Sequence, residues 1–157
     1  MNTLERFADV IVVGTQRLHA ISDADAGARP KPDAWSRKQE LGHLVDSAIN
    51  NYARVIRVQN EDSPSLLNYD ADVWVERRGY QDEDWKQLIA LWAAVNQHLL
   101  AAARGIPSSA LARSCTIGGA PMTLGFMIED YVDHLVHHLQ HIGVELRQLR
   151  RAESAYA

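Results

Sequence analysis

The sequence predicts an all-α protein, a helical bundle, and three observations carry that expectation. Four stretches place apolar residues at spacings of three and four. Most of the proline and glycine falls between those stretches rather than inside them. At 157 residues the chain is long enough to enclose a hydrophobic core without covalent staples. It shows no repeat at a solenoid period, no low-complexity tract and no linker long enough to divide it, so one domain over residues 1–157 is expected.

The first helix is expected from about Thr3 to Ile21, with Leu4, Phe7, Ala8, Ile11, Thr15 and Leu18 on one side. The segment "DADAGARPKPDAW" breaks it. The second is expected to start at Ser36, where "SRKQ" forms a capping box: the Ser36 hydroxyl accepts from the Gln39 amide while the Gln39 side chain reaches back. It continues to about Val58 through Leu41, Val45, Ala48, Tyr52 and Val55. A polar connection follows, in which "DADVWVERR" is a candidate short helix. The third long helix is expected over about Asp82 to Ala103, with Trp85, Leu88, Ile89, Trp92, Val95 and Leu99 aligned. In "IGGAP" the Gly118-Gly119 pair suits a tight turn between two short extended pieces. Thr123 is a candidate cap for a last helix running to about Leu149, with "RRAESAYA" as a frayed end.

Charge and composition exclude some partners. With 16 basic and 20 acidic residues interspersed and a net charge of −4, the chain carries no footprint for a phosphate backbone or an anionic membrane surface. No apolar run approaches the ~20 residues of a spanning helix. A lone cysteine, Cys115, and an N-terminus without a signal-peptide pattern lead to the expectation of a soluble cytoplasmic protein.

The chemistry concentrates in "DYVDHLVHHLQHIGVEL", which holds His134, His137, His138 and His141. At 100° per residue, and with His134 at zero, His138, His141 and His137 fall at about 40°, −20° and −60°. The apolar stripe of Leu124, Ile128, Tyr131, Leu135, Leu139, Ile142 and Leu146 centres near about +100° on the same wheel. His134 and His138 therefore lie nearest the buried face. Two imidazoles four residues apart can converge on one metal ion, as in helical zinc-protease motifs. His134 with His138 and His137 with His141 both have that spacing, and the second pair points further toward solvent. An H-x-x-x-H pair also occurs by chance on solvated helix faces.

A third ligand must come from elsewhere. His19 and His98 sit late in their helices, where a cation suits the helix dipole. His43 shares a polar face with Ser47, Asn50 and Arg54, opposite the apolar stripe of its helix, which taken literally makes it a surface residue. Wheel geometry alone leaves the third ligand open.

The runs "AWSRKQELGHLVDSAINNY", "YDADVW" and "DYVDHLVHHLQHI", in this order and at these intervals, resemble the DinB-like superfamily, in its YfiT-like branch of metal-dependent hydrolases. With the helix pattern, the resemblance covers nearly the whole chain. It implies a four-helix bundle of up-down-down-up topology and a divalent metal, commonly nickel or zinc. Carried onto this sequence, the implied metal ligands are His43, His134 and His138. Three imidazoles leave a coordination position open, as catalytic sites do. His137 and His141 then become neighbours of the site.

The resemblance further implies a small-molecule substrate, a homodimer, and either hydrolysis or S-transfer from a low-molecular-weight thiol such as bacillithiol or mycothiol. The alternative is a non-catalytic metal-binding or stress-response module whose histidines tie two helices together. A third reading is an empty pH-sensitive cluster. Asp46, Glu129, Asp130 and Asp133 are the carboxylates nearest the histidine faces, and none is singled out as a base. Tyr69, Asp70 and Trp74 are expected to pack the connection, and Cys115, with no basic group placed beside it, to be inert.

Overall fold

Every helix of five residues or more begins where a short polar side chain caps it, in a computed structural model that describes residues 2–146. Asn2 and Glu5 form a capping box for α1 (Thr3–Leu18), and Ser22 caps α2 (Asp23–Gly27). The expected Ser36–Gln39 box opens α3 (Arg37–Asn60). Asp70 caps α4 (Ala71–Arg78), Asp84 caps α5 (Trp85–Arg104), and Thr123 caps α6 (Leu124–Ile142). Three short strands, β1 (Ser65–Leu66), β2 (Ser114–Ile117) and β3 (Ala120–Thr123), make a small sheet beside the helices. β2 and β3 are antiparallel about the Gly118-Gly119 turn, and β1 joins β2 in parallel.

The expected helices all form, with corrected ends. α1 stops at Leu18 rather than Ile21, and a separate turn of helix, α2, lies in the segment expected only to break it. The third long helix starts at Trp85, not Asp82, because a 3₁₀ turn over Tyr80–Asp82 precedes the Asp84 cap. α6 ends at Ile142, short of Leu149: Gly143 adopts φ 98°, and the amides of Gly143 and Val144 return to the carbonyls of Gln140 and Leu139. That is a Schellman stop, which needs a residue free to enter the left-handed region. The expected frayed tail falls on residues 147–157, outside the described residues.

Side-chain bonds at one end of the molecule give the topology. Trp85 at the start of α5 donates its indole N–H to Leu18 O at the end of α1 (3.1 Å). Lys38, at the start of α3, donates to Glu83 O just before α5 (2.8 Å), and Arg37 donates to Ile142 O at the end of α6 (2.7 Å). The ends of α1 and α6 thus share a level with the starts of α3 and α5. The long helices run up, down, down and up, a four-helix bundle in which α3 packs on both α5 and α6.

The core fills the space between the four long helices. Phe7, Val10 and Leu18 of α1 meet Leu41, Leu44 and Ala48 of α3, Trp85, Ile89 and Trp92 of α5, and Leu124, Leu135 and Leu139 of α6. The whole α6 stripe expected from the sequence is buried, out to Ile142, and Leu146 beyond the helix is buried too. Among the described residues no helix is long and apolar enough to cross a membrane.

Candidate metal centre

His43 enters the site because α3 is enclosed. Between Lys38 and Ala48 only Glu40 escapes full burial, since α5 and α6 flank the helix and the connections cover its remaining side. The Trp35 ring lies 5.3 Å from the His43 ring and the Tyr69 ring 6.5 Å from it. His43 is 7% exposed, which corrects the surface position read from the wheel: a wheel assumes one buried face, and here the polar face is covered as well.

Antiparallel packing brings α6 to the same level. One ring nitrogen from each of His43, His134 and His138 lies within 4.8 Å of the other two. The Nε2 atoms of His43 and His134 are 3.1 Å apart, and the His138 ring centre is 4.6 Å from that of His43 and 4.4 Å from that of His134. Two nitrogens bound to one tetrahedral ion at ~2.0–2.1 Å sit ~3.3 Å from each other, close to the observed separation.

The chemistry of these rings fits a cation. Burial first, then repulsion from His138, lowers the pKa of His43 to about 4. Burial, followed by repulsion from His138 and His43, lowers that of His134 to about 3. Both rings are neutral at pH 7, with lone pairs free to bind. The Nδ1 atoms of both are buried and have no hydrogen-bond partner. The two Nε2 atoms face each other at hydrogen-bond distance, and as two neutral lone pairs the same two atoms can face one shared cation instead.

Glu40 orients the third ring. Its Oε1 accepts from His138 Nδ1 at 2.7 Å and from His141 Nδ1 at 3.1 Å. A carboxylate only accepts, so His138 carries a proton on Nδ1, and its Nε2 is the ring nitrogen left for another partner. Burial would raise the Glu40 pKa, but the bonds to His138 and His141 outweigh it and hold the carboxyl ionised. Sequence reading passed over Glu40, although an acid three residues before His43 shares its helix face. It also passed over Trp35.

The other candidates disperse. His137 and His141 are exposed, as their wheel positions predicted, and neither joins the three-ring group. His19 and His98 lie on the surface, His98 against Tyr52. Asp133 pairs with Arg6 at 2.5 Å, and Glu129 lines a cavity beside Asn2 and Ala103. Asp46 is buried and accepts from the Tyr80 hydroxyl at 2.7 Å. Asp130 alone of the four carboxylates borders the cleft beside His43 and His134. Cys115 is 2% exposed, and burial pushes its thiol pKa up, as an inert residue requires.

Comparison with known proteins now decides the family. The model of the DinB superfamily matches residues 13–142, most of the chain and both histidine-bearing helices. The chain belongs to the DinB superfamily. Within that superfamily it is 25% identical over 129 residues to YfiT of Bacillus subtilis, provisionally named a metal-dependent hydrolase, covering 81% of this chain and 72% of that one. A protein of Halalkalibacterium halodurans with the same provisional name is 24% identical over 131 residues, covering 80% of this chain and 76% of its own. The solved YfiT structure, described as an unusual four-helix bundle, superposes with a TM-score of 0.81 at 23% identity, over 90% of this chain and 82% of that one. At that identity the superposition establishes the DinB fold.

Proposed function

We propose that His43, His134 and His138 hold one divalent transition metal, nickel or zinc, and that the protein is an enzyme acting on a small molecule. The reaction is hydrolysis or S-transfer from a low-molecular-weight thiol. The observation that carries this reading is the convergence of three ring nitrogens within 4.8 Å of one another, at the wall of a cleft of about 290 Å³. The provisional names of the two relatives point the same way.

When bound, such an ion supplies a Lewis acid that makes a water or a thiol acidic near neutral pH. The chain's own residues prepare for it. Burial keeps His43 and His134 unprotonated, and Glu40 holds the His138 ring in its Nδ1–H form and in one orientation. Trp35 and Tyr69 lie against the His43 ring. Among the described residues Glu40, His138 and His141 form a second cluster that shares the His138 ring, while the three-histidine group takes in no fourth His, Cys, Asp or Glu. A structural site would be closed by such a ligand, so this arrangement favours an enzyme over a non-catalytic metal-binding or stress-response module. A cytoplasmic homodimer completes the proposal.

Elemental analysis of protein purified without a nickel column tests it. About one equivalent of a transition metal is expected in the wild type, and loss of that metal in both His43→Ala and His138→Ala. Metal-free wild type, or retention of metal in His43→Ala, overturns the three-histidine centre.

A further inference from the structure

The cleft that opens from His43 and His134 carries more chemistry than a metal ion needs. Beyond His43, α3 presents Ser47, Asn51 and Arg54 to it, on one helix face and spread over about 16 Å of axis. Asn51 takes the place expected of Asn50, whose side chain donates back to Asp46 O. Facing it, Ile117 of β2, Met122 of β3 and Met127 of α6 supply an apolar patch, beside Tyr131 and with Asp130 at the border. The cleft thus sets the polar face of α3 against an apolar patch, with His43 toward one end of that helix face and Arg54 toward the other.

Arg54 is the unusual member. It is half-buried, and its NH2 donates to Leu67 O at 2.9 Å. A guanidinium has five N–H donors, so that bond leaves most of them available. Arg6, Arg78 and Arg113 each meet a carboxylate, at 2.5, 2.6 and 3.1 Å. Among the described residues no carboxylate pairs with Arg54; Asp130, the acid bordering the same cleft, is exposed and makes no ion pair with it. Burial lowers the Arg54 pKa, the mark of a cation withdrawn from water without full compensation. A cation so placed in a cleft is matched by an anionic ligand.

We propose that the substrate is a small organic carboxylate: its acid group pairs with Arg54, its apolar body lies against Met122 and Met127, and its reactive end reaches His43 and His134. The proposal rests on the metal reading of the same site. A single guanidinium, with an acid on the cleft border, suits a monoanion rather than a dianionic phosphate. A cleft of about 290 Å³ suits a metabolite-sized molecule.

The test uses the full-length protein loaded with cobalt and two matched sets of thiols, ω-mercaptocarboxylates and ω-mercaptoalcohols of increasing chain length. The sulfur-to-cobalt charge-transfer band reports binding of each. At one chain length the carboxylate is expected to bind at least about tenfold tighter than the alcohol, the size of one charge-assisted pair. Arg54→Gln is expected to erase that preference while leaving alcohol affinity unchanged, and Arg54→Lys to restore part of it. Equal affinity for both sets at every length, or an undiminished preference in Arg54→Gln, overturns the proposal. A protein that takes up no cobalt instead fails the metal reading. The carboxylate subsite is then judged by hexanoate against hexanol on the metal-free protein, followed by backbone amide NMR shifts. Hexanoate binding that needs Arg54 sustains the subsite, and equal responses to both compounds reject it.

Discussion

Glu40 bonds two imidazoles at once, and its carboxylate fixes which nitrogen of His138 is free to act. Removing such an orienting partner weakens metal affinity about 10–100-fold, so Glu40→Ala is expected to lose metal to a chelator at correspondingly lower concentration. Glu40→Gln, which keeps an acceptor without the charge, is expected to fall between. Competition with a chromophoric chelator measures both. Asp46 makes a second residue-scale prediction. Burial raises its pKa, although the Tyr80 hydroxyl bond opposes the rise. A carboxyl whose folded pKa lies above its unfolded value of about 3.9 binds more protons when folded, so the wild type loses stability as pH rises through that window. Asp46→Asn, which keeps an acceptor for Tyr80, is expected to gain stability relative to wild type between about pH 4 and the raised folded value, and to hold that gain at pH 7. Thermal melts at pH 4 and pH 7 check the sign; a gain larger at pH 4 would refute it.

At the scale of elements, α3 shows why a pattern of apolar residues is an incomplete guide. Its stripe and capping box were legible, and both are where periodicity put them. Its polar face was misplaced, because α6 and the Trp35 and Tyr69 segments cover what the wheel assigns to water. The stop of α6 was missed for a local reason, since Gly143 interrupts a run whose apolar spacing continues to Leu146. Close approach also marks α3: a Cβ on Gly42 would overlap the Tyr80 ring, whose hydroxyl bonds Asp46. Gly42→Ala is therefore expected to cost about 1–3 kcal/mol as overpacking, read from the urea midpoint. It is also expected to lower metal occupancy by displacing the adjacent His43. A wild-type midpoint in that variant would show that Tyr80 moves aside freely.

For the whole molecule, the up-down-down-up path sets the start of α3 against the end of α6, and so places His43 beside two histidines about 90 residues later. A ligand that binds only the folded chain stabilises it by mass action, ~2.7 kcal/mol when free ligand is a hundred times Kd. A metal held between α3 and α6 therefore predicts that chelation lowers the Tm by about 5–10 °C for a chain of this size. The same chelator is expected to leave His43→Ala unmoved. Differential scanning calorimetry with and without chelator reads both, and an equal drop in the two proteins would refer the effect to some other site.

The sequence by itself determined the four long helices, the Ser36 and Thr123 caps and the turn at Gly118-Gly119, and it placed His134 and His138 nearer the buried face than His137 and His141, because these depend on spacing along one helix. His43 became a candidate through resemblance, against its own wheel position. Tertiary structure alone decided its burial, the Glu40 bridge to His138 and His141, the pairing of β1 with β2, and the cleft that runs from the histidines to Arg54. Each of these depends on which faces of distant segments meet, and periodicity within a segment carries no information about its partner.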